Sequence, residues 1–178
     1  MSKYIEYKPG YIRIAGIIRE SIVDGPGLRF VIFCQGCIHK CPGCHNPESH
    51  DFQGGYDCEI EKIIKAVDDN PLLQGVTFSG GEPFNQAEAF LELAKILKAK
   101  GIHIMSYSGF TFEELMDMAK TDDAVRELMN NIDILVDGRF VQEERDLSLI
   151  FRGSRNQRVL DLKKSLESGE AVWDDRYK

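Results

Sequence analysis

The sequence predicts an α/β fold on a mostly parallel sheet, and two observations support this prediction. Short apolar runs alternate with segments of helical periodicity, so that strand, turn and helix recur along the chain. Several groups that bind ligands also follow directly after predicted strands, and the carboxyl ends of parallel strands meet at one edge. At 178 residues, we expect a single domain over 1–178, in which 163–178 form a charged tail, docked or frayed.

The first predicted strand is the β-branched and aromatic run from Leu28 to Phe33. It leads directly into four closely spaced cysteines. Pro42 and Pro47 break regular structure there, so we expect these thiols on a loop beyond the strand's carboxyl end. The next helix is predicted between Asp57, as its N-cap, and Pro71.

The remaining predicted elements continue the alternation of strands and helices. They are a strand at 76–78, a helix from an Asn85–Glu88 capping box to Gly101, a strand at 102–107, a helix from a Thr111–Glu114 capping box through Met118, a strand at 132–136 ending at Asp137, and a weaker strand at 159–160.

Charge and hydropathy exclude two classes of partner. The net charge is −7, and no clustered excess of Lys and Arg is present to neutralise nucleic-acid phosphates. No apolar run approaches the ~20 residues that span a bilayer. Lys3, Glu6 and Lys8 interrupt the N-terminal apolar residues, which is unlike a signal peptide. We therefore expect a cytoplasmic protein that binds neither nucleic acid nor membrane.

The spacing Cys37-x3-Cys41-x2-Cys44 places three thiols on one short loop. Three thiolates can hold an iron-sulfur cluster and leave one iron open to a small molecule. A Cys3His zinc site, completed by one of the three nearby histidines, is the alternative, and the loop alone does not decide. The candidate histidines are His39, His45 and His50. Cys34 and Cys58 are interpreted as structural cysteines.

A glycine turn after the next strand separates these alternatives. In Ser79-Gly80-Gly81-Glu82-Pro83, two glycines allow close approach to the backbone and a carboxylate follows, although an ordinary turn has the same composition. A zinc site does not need this turn. The cysteine spacing followed by this turn resembles the radical S-adenosylmethionine enzymes, whose three cysteines bind a 4Fe-4S cluster.

Three further segments narrow the resemblance to activases of glycyl radical enzymes. Asp24-Gly25-Pro26-Gly27-Leu28-Arg29 resembles these activases in general. The runs 136–140 and 148–154 resemble the family that activates anaerobic ribonucleoside-triphosphate reductase, whereas His45-Asn46 resembles the activases of pyruvate formate-lyase.

The resemblance implies a fold, a reaction and partners. The fold is a partial TIM-like barrel. The reaction is reductive cleavage of S-adenosylmethionine to a 5'-deoxyadenosyl radical, which takes a hydrogen from a glycine of the partner reductase. A flavodoxin or ferredoxin is the implied electron donor.

The resemblance also implies residue roles. Cys37, Cys41 and Cys44 are the cluster ligands, and Gly80, Gly81 and Glu82 contact the methionine amino group. Four more residues lie on strand-end loops, where they contact the cofactor or, equally, are solvated turn residues. They are Asn46, Ser106, Asp137 and Arg139. Asp24 receives the partner or forms a turn, and Arg152 and Arg155 dock the partner or cap the barrel end.

Overall fold

The computed structural model describes residues 5–178 and builds one seven-stranded sheet from them. Lys3, one of the charged residues that make the N-terminus unlike a signal peptide, lies outside these residues. The strands are β1 Tyr11–Ser21, β2 Arg29–Cys34, β3 Tyr56–Glu59, β4 Gly75–Gly80, β5 His103–Tyr107, β6 Ile134–Asp137 and β7 Arg158–Asp161. Their spatial order is β3-β1-β2-β4-β5-β6-β7.

The centre of the sheet is parallel and its edges are antiparallel. Strands β2, β4, β5 and β6 run in one direction. Strand β1 pairs antiparallel with β2 and β3, and β7 pairs antiparallel with β6. Because β3 and β7 end the sheet without pairing with each other, the described sheet is open. The α/β fold is therefore confirmed, whereas the TIM-like barrel is not.

The helices cover one face of the sheet. They are α1 Ile60–Asp68, α2 Ala87–Ala99, α3 Phe112–Met118, α4 Asp123–Asn130 and α5 Leu162–Ser168. Alternate strand residues such as Phe30, Phe78 and Ile104 pack under them in the main core. The other residues of the same strands, among them Met105 and Val136, form a smaller cluster on the opposite face. Among residues 5–178, no helix has the length and hydropathy to span a membrane.

Two of the three predicted helix starts are wrong. Asp57 lies on β3 and pairs with Arg13 at 3.0 Å, and α1 begins only after Glu59. A 3-10 turn, Pro83–Gln86, precedes α2 and is capped by Glu82, so the Asn85–Glu88 box does not form. The Thr111–Glu114 box is confirmed, with both reciprocal hydrogen bonds present.

Several elements were not predicted from the sequence. Strands β1 and β3 and helices α4 and α5 are additional, although the buried Ile12 and Ile14 alternate with the partly exposed Tyr11 and Arg13 in β1, as a half-buried strand requires. The 163–178 segment is docked: it contains most of α5 and then returns along β7, where the Asp174 amide donates to the Val159 carbonyl at 2.9 Å. Cys34 is fully buried, as expected of a core cysteine.

Arg29 is a buried cation on the sheet face opposite the helices. It is 1% exposed, and its guanidinium donates to the Thr77 hydroxyl at 3.0 Å and to the Val76 carbonyl at 2.7 Å. Burial lowers the pKa of Arg29 to about 10. It also donates to Nδ1 of His103 at 3.1 Å, which requires that imidazole to be neutral.

The neutral His103 makes stability depend on pH. Burial, followed by the Arg29 charge, lowers the pKa of His103 below its ordinary 6.5. The unfolded chain therefore binds this proton more readily, and the stabilisation that His103 provides above about pH 6.5 is lost as pH falls below that value and through the lower pKa of the folded state. Urea unfolding between about pH 5 and about pH 8 should show this fall. It should be weaker in His103→Gln, which does not titrate, and an equal fall in both proteins would contradict the assignment.

Candidate active site

The three predicted ligand cysteines lie on the loop that follows β2 at its carboxyl end. Cys37 is buried, Cys41 and Cys44 are partly exposed, and all of them are free thiols. Backbone hydrogen bonds fix the start of the loop, because the Cys37 amide donates to the His50 carbonyl at 3.2 Å. The three thiols therefore lie beyond the carboxyl end of β2, where the sequence predicted them.

Burial and backbone amides act in opposite directions on these thiols. Burial raises the pKa of Cys37 to about 11 and that of Cys44 above its usual value. Amides oppose this effect: those of His39 and Lys40 face the Cys37 sulfur, and the Asn46 amide donates to the Cys44 sulfur at 3.4 Å. A bound metal would favour the thiolate form of such a ligand, in the same direction as these amides.

The donor set fits an iron-sulfur cluster. Within residues 5–178, no three His, Cys, Asp or Glu side chains converge on a point that one ion could occupy. In a 4Fe-4S cluster each thiolate binds a different iron, and three thiolates on one loop are a donor set that such a cluster takes. The candidate zinc ligand His39 instead lies 2.8 Å from Glu82, and the His45 ring packs 5.2 Å from that of Phe140.

The glycine turn is joined to the cysteine loop through the backbone. The Gly81 amide donates to the Cys34 carbonyl at 2.7 Å, and the Glu82 amide donates to the Gly36 carbonyl at 2.8 Å. A Cβ on Gly81 would lie 2.4 Å from the Gly36 oxygen, and one on Gly80 would lie 2.6 Å from the Cys34 nitrogen. The sequence interpretation assigned the glycines to the approach of a ligand. In the structure, the protein's own chain also approaches these glycines closely.

The Glu82 carboxylate is fully buried and bonded within the protein. Oε1 accepts from the Phe84 amide at 3.1 Å and the Ser108 hydroxyl at 3.0 Å. Oε2 accepts from the Gly109 amide at 2.8 Å and contacts Nε2 of His39 at 2.8 Å. The carboxylate contact to the methionine amino group, which the resemblance implies, would require one of these partners to be displaced. Ser108 and Gly109 were missed, although they follow directly after β5.

The Asp137 carboxylate is likewise bonded within the protein. It is fully buried at the end of β6. It pairs with Arg158 on β7 at 2.5 Å and accepts from the Phe112 amide at 2.7 Å. It therefore joins β6, β7 and the start of α3, and the expected cofactor contact would require this ion pair to open.

The other three expected cofactor contacts are placed differently from one another. Ser106 is fully buried, and its hydroxyl donates to the Tyr107 carbonyl at 3.1 Å. Arg139 is half exposed and pairs with Glu114 at 3.2 Å. Of the three, Asn46 lies directly at the cysteine loop, through its amide on Cys44.

The loop after β6 packs on the turn between Cys41 and Cys44. A Cβ on Gly43 would lie 3.0 Å from the Gln142 side chain, so the two segments touch. The His45 and Phe140 rings lie 5.2 Å apart, and a Cβ on Gly153 would lie 3.3 Å from His45. The segments that carried the sequence resemblance are thus neighbours in space.

The candidate docking residues lie on further loops. The Asp24 carboxylate accepts from the Ser21 hydroxyl at 2.5 Å, and the Asp24 carbonyl accepts from Thr77 at 2.7 Å. The Arg152 guanidinium lies over the Trp173 ring at 5.2 Å, whereas Arg155 is exposed. Asp24 and Arg152 therefore have contacts within the fold, and Arg155 faces solvent.

Comparison with known proteins identifies the family. Residues 23–160 match the family described as "4Fe-4S single cluster domain". The anaerobic ribonucleoside-triphosphate reductase-activating protein of Vibrio cholerae is 38% identical over 144 residues, which cover 76% of this chain and 89% of that protein. The protein of the same description from Escherichia coli K12 is 35% identical over 150 residues, which cover 80% and 94%.

A second kind of activase is also similar. The pyruvate formate-lyase-activating enzyme of Clostridium pasteurianum is 32% identical over 168 residues, which cover 90% of this chain and 66% of that enzyme. The resemblance found in the motifs is therefore confirmed over most of the chain. The chain belongs to the family of anaerobic ribonucleoside-triphosphate reductase-activating proteins, which are activases of glycyl radical enzymes.

Proposed function

We propose that this chain is an activase that cleaves S-adenosylmethionine reductively and generates the glycyl radical of an anaerobic ribonucleoside-triphosphate reductase. The observation that carries the proposal is the joining of the cysteine loop to the glycine turn at the ends of β2 and β4. The similarity to activating proteins of that reductase supports the choice of partner.

The proposed roles follow from the geometry of the loop. Cys37, Cys41 and Cys44 would hold a 4Fe-4S cluster, and the amides on the Cys37 and Cys44 sulfurs would stabilise their thiolates. When bound, the cluster supplies the electron that cleaves the carbon-sulfur bond, which gives methionine and a 5'-deoxyadenosyl radical. The backbone of the glycine turn and Asn46, which border the loop, would orient the methionine part.

The substrate of the radical is a glycine in another protein. We propose a low-potential flavodoxin or ferredoxin as electron donor and a cytoplasmic single-domain activase. Activation of pyruvate formate-lyase is the second candidate, because the similar Clostridium enzyme is named as its activating enzyme and His45-Asn46 resembles activases of this kind.

The choice of partner is tested by electron paramagnetic resonance. The reconstituted chain, S-adenosylmethionine and a reductant should produce a glycyl radical signal when mixed with anaerobic ribonucleoside-triphosphate reductase. A sample without S-adenosylmethionine serves as the control. A signal on pyruvate formate-lyase, with none on the reductase, would reverse the choice of partner.

The cluster assignment is tested by a pair of cysteine substitutions. Wild-type protein should bind about four irons per chain after anaerobic reconstitution. Cys41→Ala should lose the cluster and the cleavage of S-adenosylmethionine, while its circular dichroism stays close to wild type because Cys41 is partly exposed and outside the main core. The matched control is Cys58→Ala, on edge strand β3, which should keep both.

The zinc alternative makes the opposite prediction for the same variant. Structural zinc contributes folding energy directly, so Cys41→Ala would then unfold the chain. A wild-type protein that takes up one zinc and no iron, even after reconstitution with iron and sulfide, would contradict the activase.

A further inference from the structure

His39 lies between two of the predicted cluster ligands, but its side chain points away from solvent and toward Glu82. The His39 side chain is 3% exposed and that of Glu82 is 0% exposed. Nε2 of His39 and Oε2 of Glu82 are 2.8 Å apart, which is the distance of a strong hydrogen bond to a carboxylate. A buried polar pair of this kind is costly to separate, because each group would lose its partner without gaining water.

The pocket around the His39 ring fixes its position. The Phe110 ring meets it edge to face, with centroids 4.5 Å apart. Gly109 lies so close that a Cβ there would stand 2.3 Å from the His39 ring. The imidazole is thus enclosed by the loop after β5, and this loop also donates two hydrogen bonds to Glu82, from Ser108 and Gly109.

The Glu82 carboxylate has four protein partners in all, so a ligand could reach it only by displacing one of them. Its backbone amide is also used, since it donates to Gly36 one residue ahead of Cys37. Both the main chain and the side chain of Glu82 therefore hold the cysteine loop. The main chain holds the loop before Cys37, and the side chain holds it at His39, between Cys37 and Cys41.

We propose that His39 and Glu82 form a latch that positions the Cys37–Cys41 segment for the cluster, and that the Glu82 carboxylate acts through His39 and not as a ligand of S-adenosylmethionine. The inference rests on the proposed function only in naming the cluster. His39 and Glu82 are positioning residues, because both side chains are buried and bonded to each other within the protein.

The latch is tested first in the metal-free protein by hydrogen exchange and mass spectrometry. His39→Ala and Glu82→Gln should each speed amide exchange in residues 35–46 and leave the β5 and β6 peptides as in wild type. Lys40→Ala is the matched control, because Lys40 is on the same loop and exposed. His39→Gln, whose amide can still donate to Glu82, should restore slow exchange. Exchange at the wild-type rate in both His39→Ala and Glu82→Gln would overturn the proposal.

The second measurement is the release of iron from the reconstituted protein to a chelator. Loss of a residue that orients a metal ligand typically costs about 10-fold or more in metal affinity, so His39→Ala should release iron about 10-fold faster than wild type or Lys40→Ala. The double variant His39→Ala/Glu82→Gln should be no faster than Glu82→Gln alone, because both changes break one interaction. Additive effects would contradict a shared latch.

The electron paramagnetic resonance of the reduced cluster separates the latch from a direct ligand role. If Glu82 instead bound the methionine amino group, Glu82→Gln would raise the S-adenosylmethionine concentration that perturbs the spectrum, while His39→Ala would leave iron release unchanged. That result would overturn the latch. Failure of the proposed function is distinguishable, since a wild-type chain that binds no cluster leaves the exchange measurement on metal-free protein intact.

Discussion

The close approach of the glycine turn to the chain between Cys34 and Gly36 is the constraint on which the rest of the site depends. Parallel pairing of β2 with β4 brings both strand ends to the same edge, and only a residue without a Cβ fits at Gly80 and Gly81. Two backbone hydrogen bonds then fix the start of the cysteine loop. Glu82 follows Gly81 directly, and its buried carboxylate accepts hydrogen bonds from the loop after β5. The turn and the cysteine loop are thereby also joined to that loop.

The sequence predicted the centre of the fold better than its edges. Strands β2, β4, β5 and β6 are buried apolar runs, and a buried parallel strand has this pattern whatever its neighbours are. The edge strands pair antiparallel and depend on partners far away in the chain, so β3, with the run from Tyr56 to Glu59, carries no apolar signal of its own. The barrel was inferred from resemblance, whereas β3 and β7, which end the described sheet, do not pair with each other.

The candidate site shows a similar division. The sequence identified the thiols, the glycine turn and the later loop as neighbours, because each follows a strand of one parallel sheet. The sequence did not distinguish a carboxylate that is free to contact a ligand from one that is already hydrogen-bonded within the protein. Glu82 and Asp137 both follow strand ends, and both are fully buried. Their partners Ser108 and Arg158 come from other strands and loops, so only the three-dimensional structure shows that these carboxylates are already bonded.

The two buried carboxylates also constrain the segments that bond to them. An unpaired buried polar group costs about 1–3 kcal/mol, and more when it is charged, so each carboxylate favours the one arrangement that supplies all its donors. At Glu82 these donors come from the cysteine loop, its own turn and the loop after β5. Movement of any of these three segments leaves the charge under-bonded. The Glu82 carboxylate therefore joins these three segments to one another.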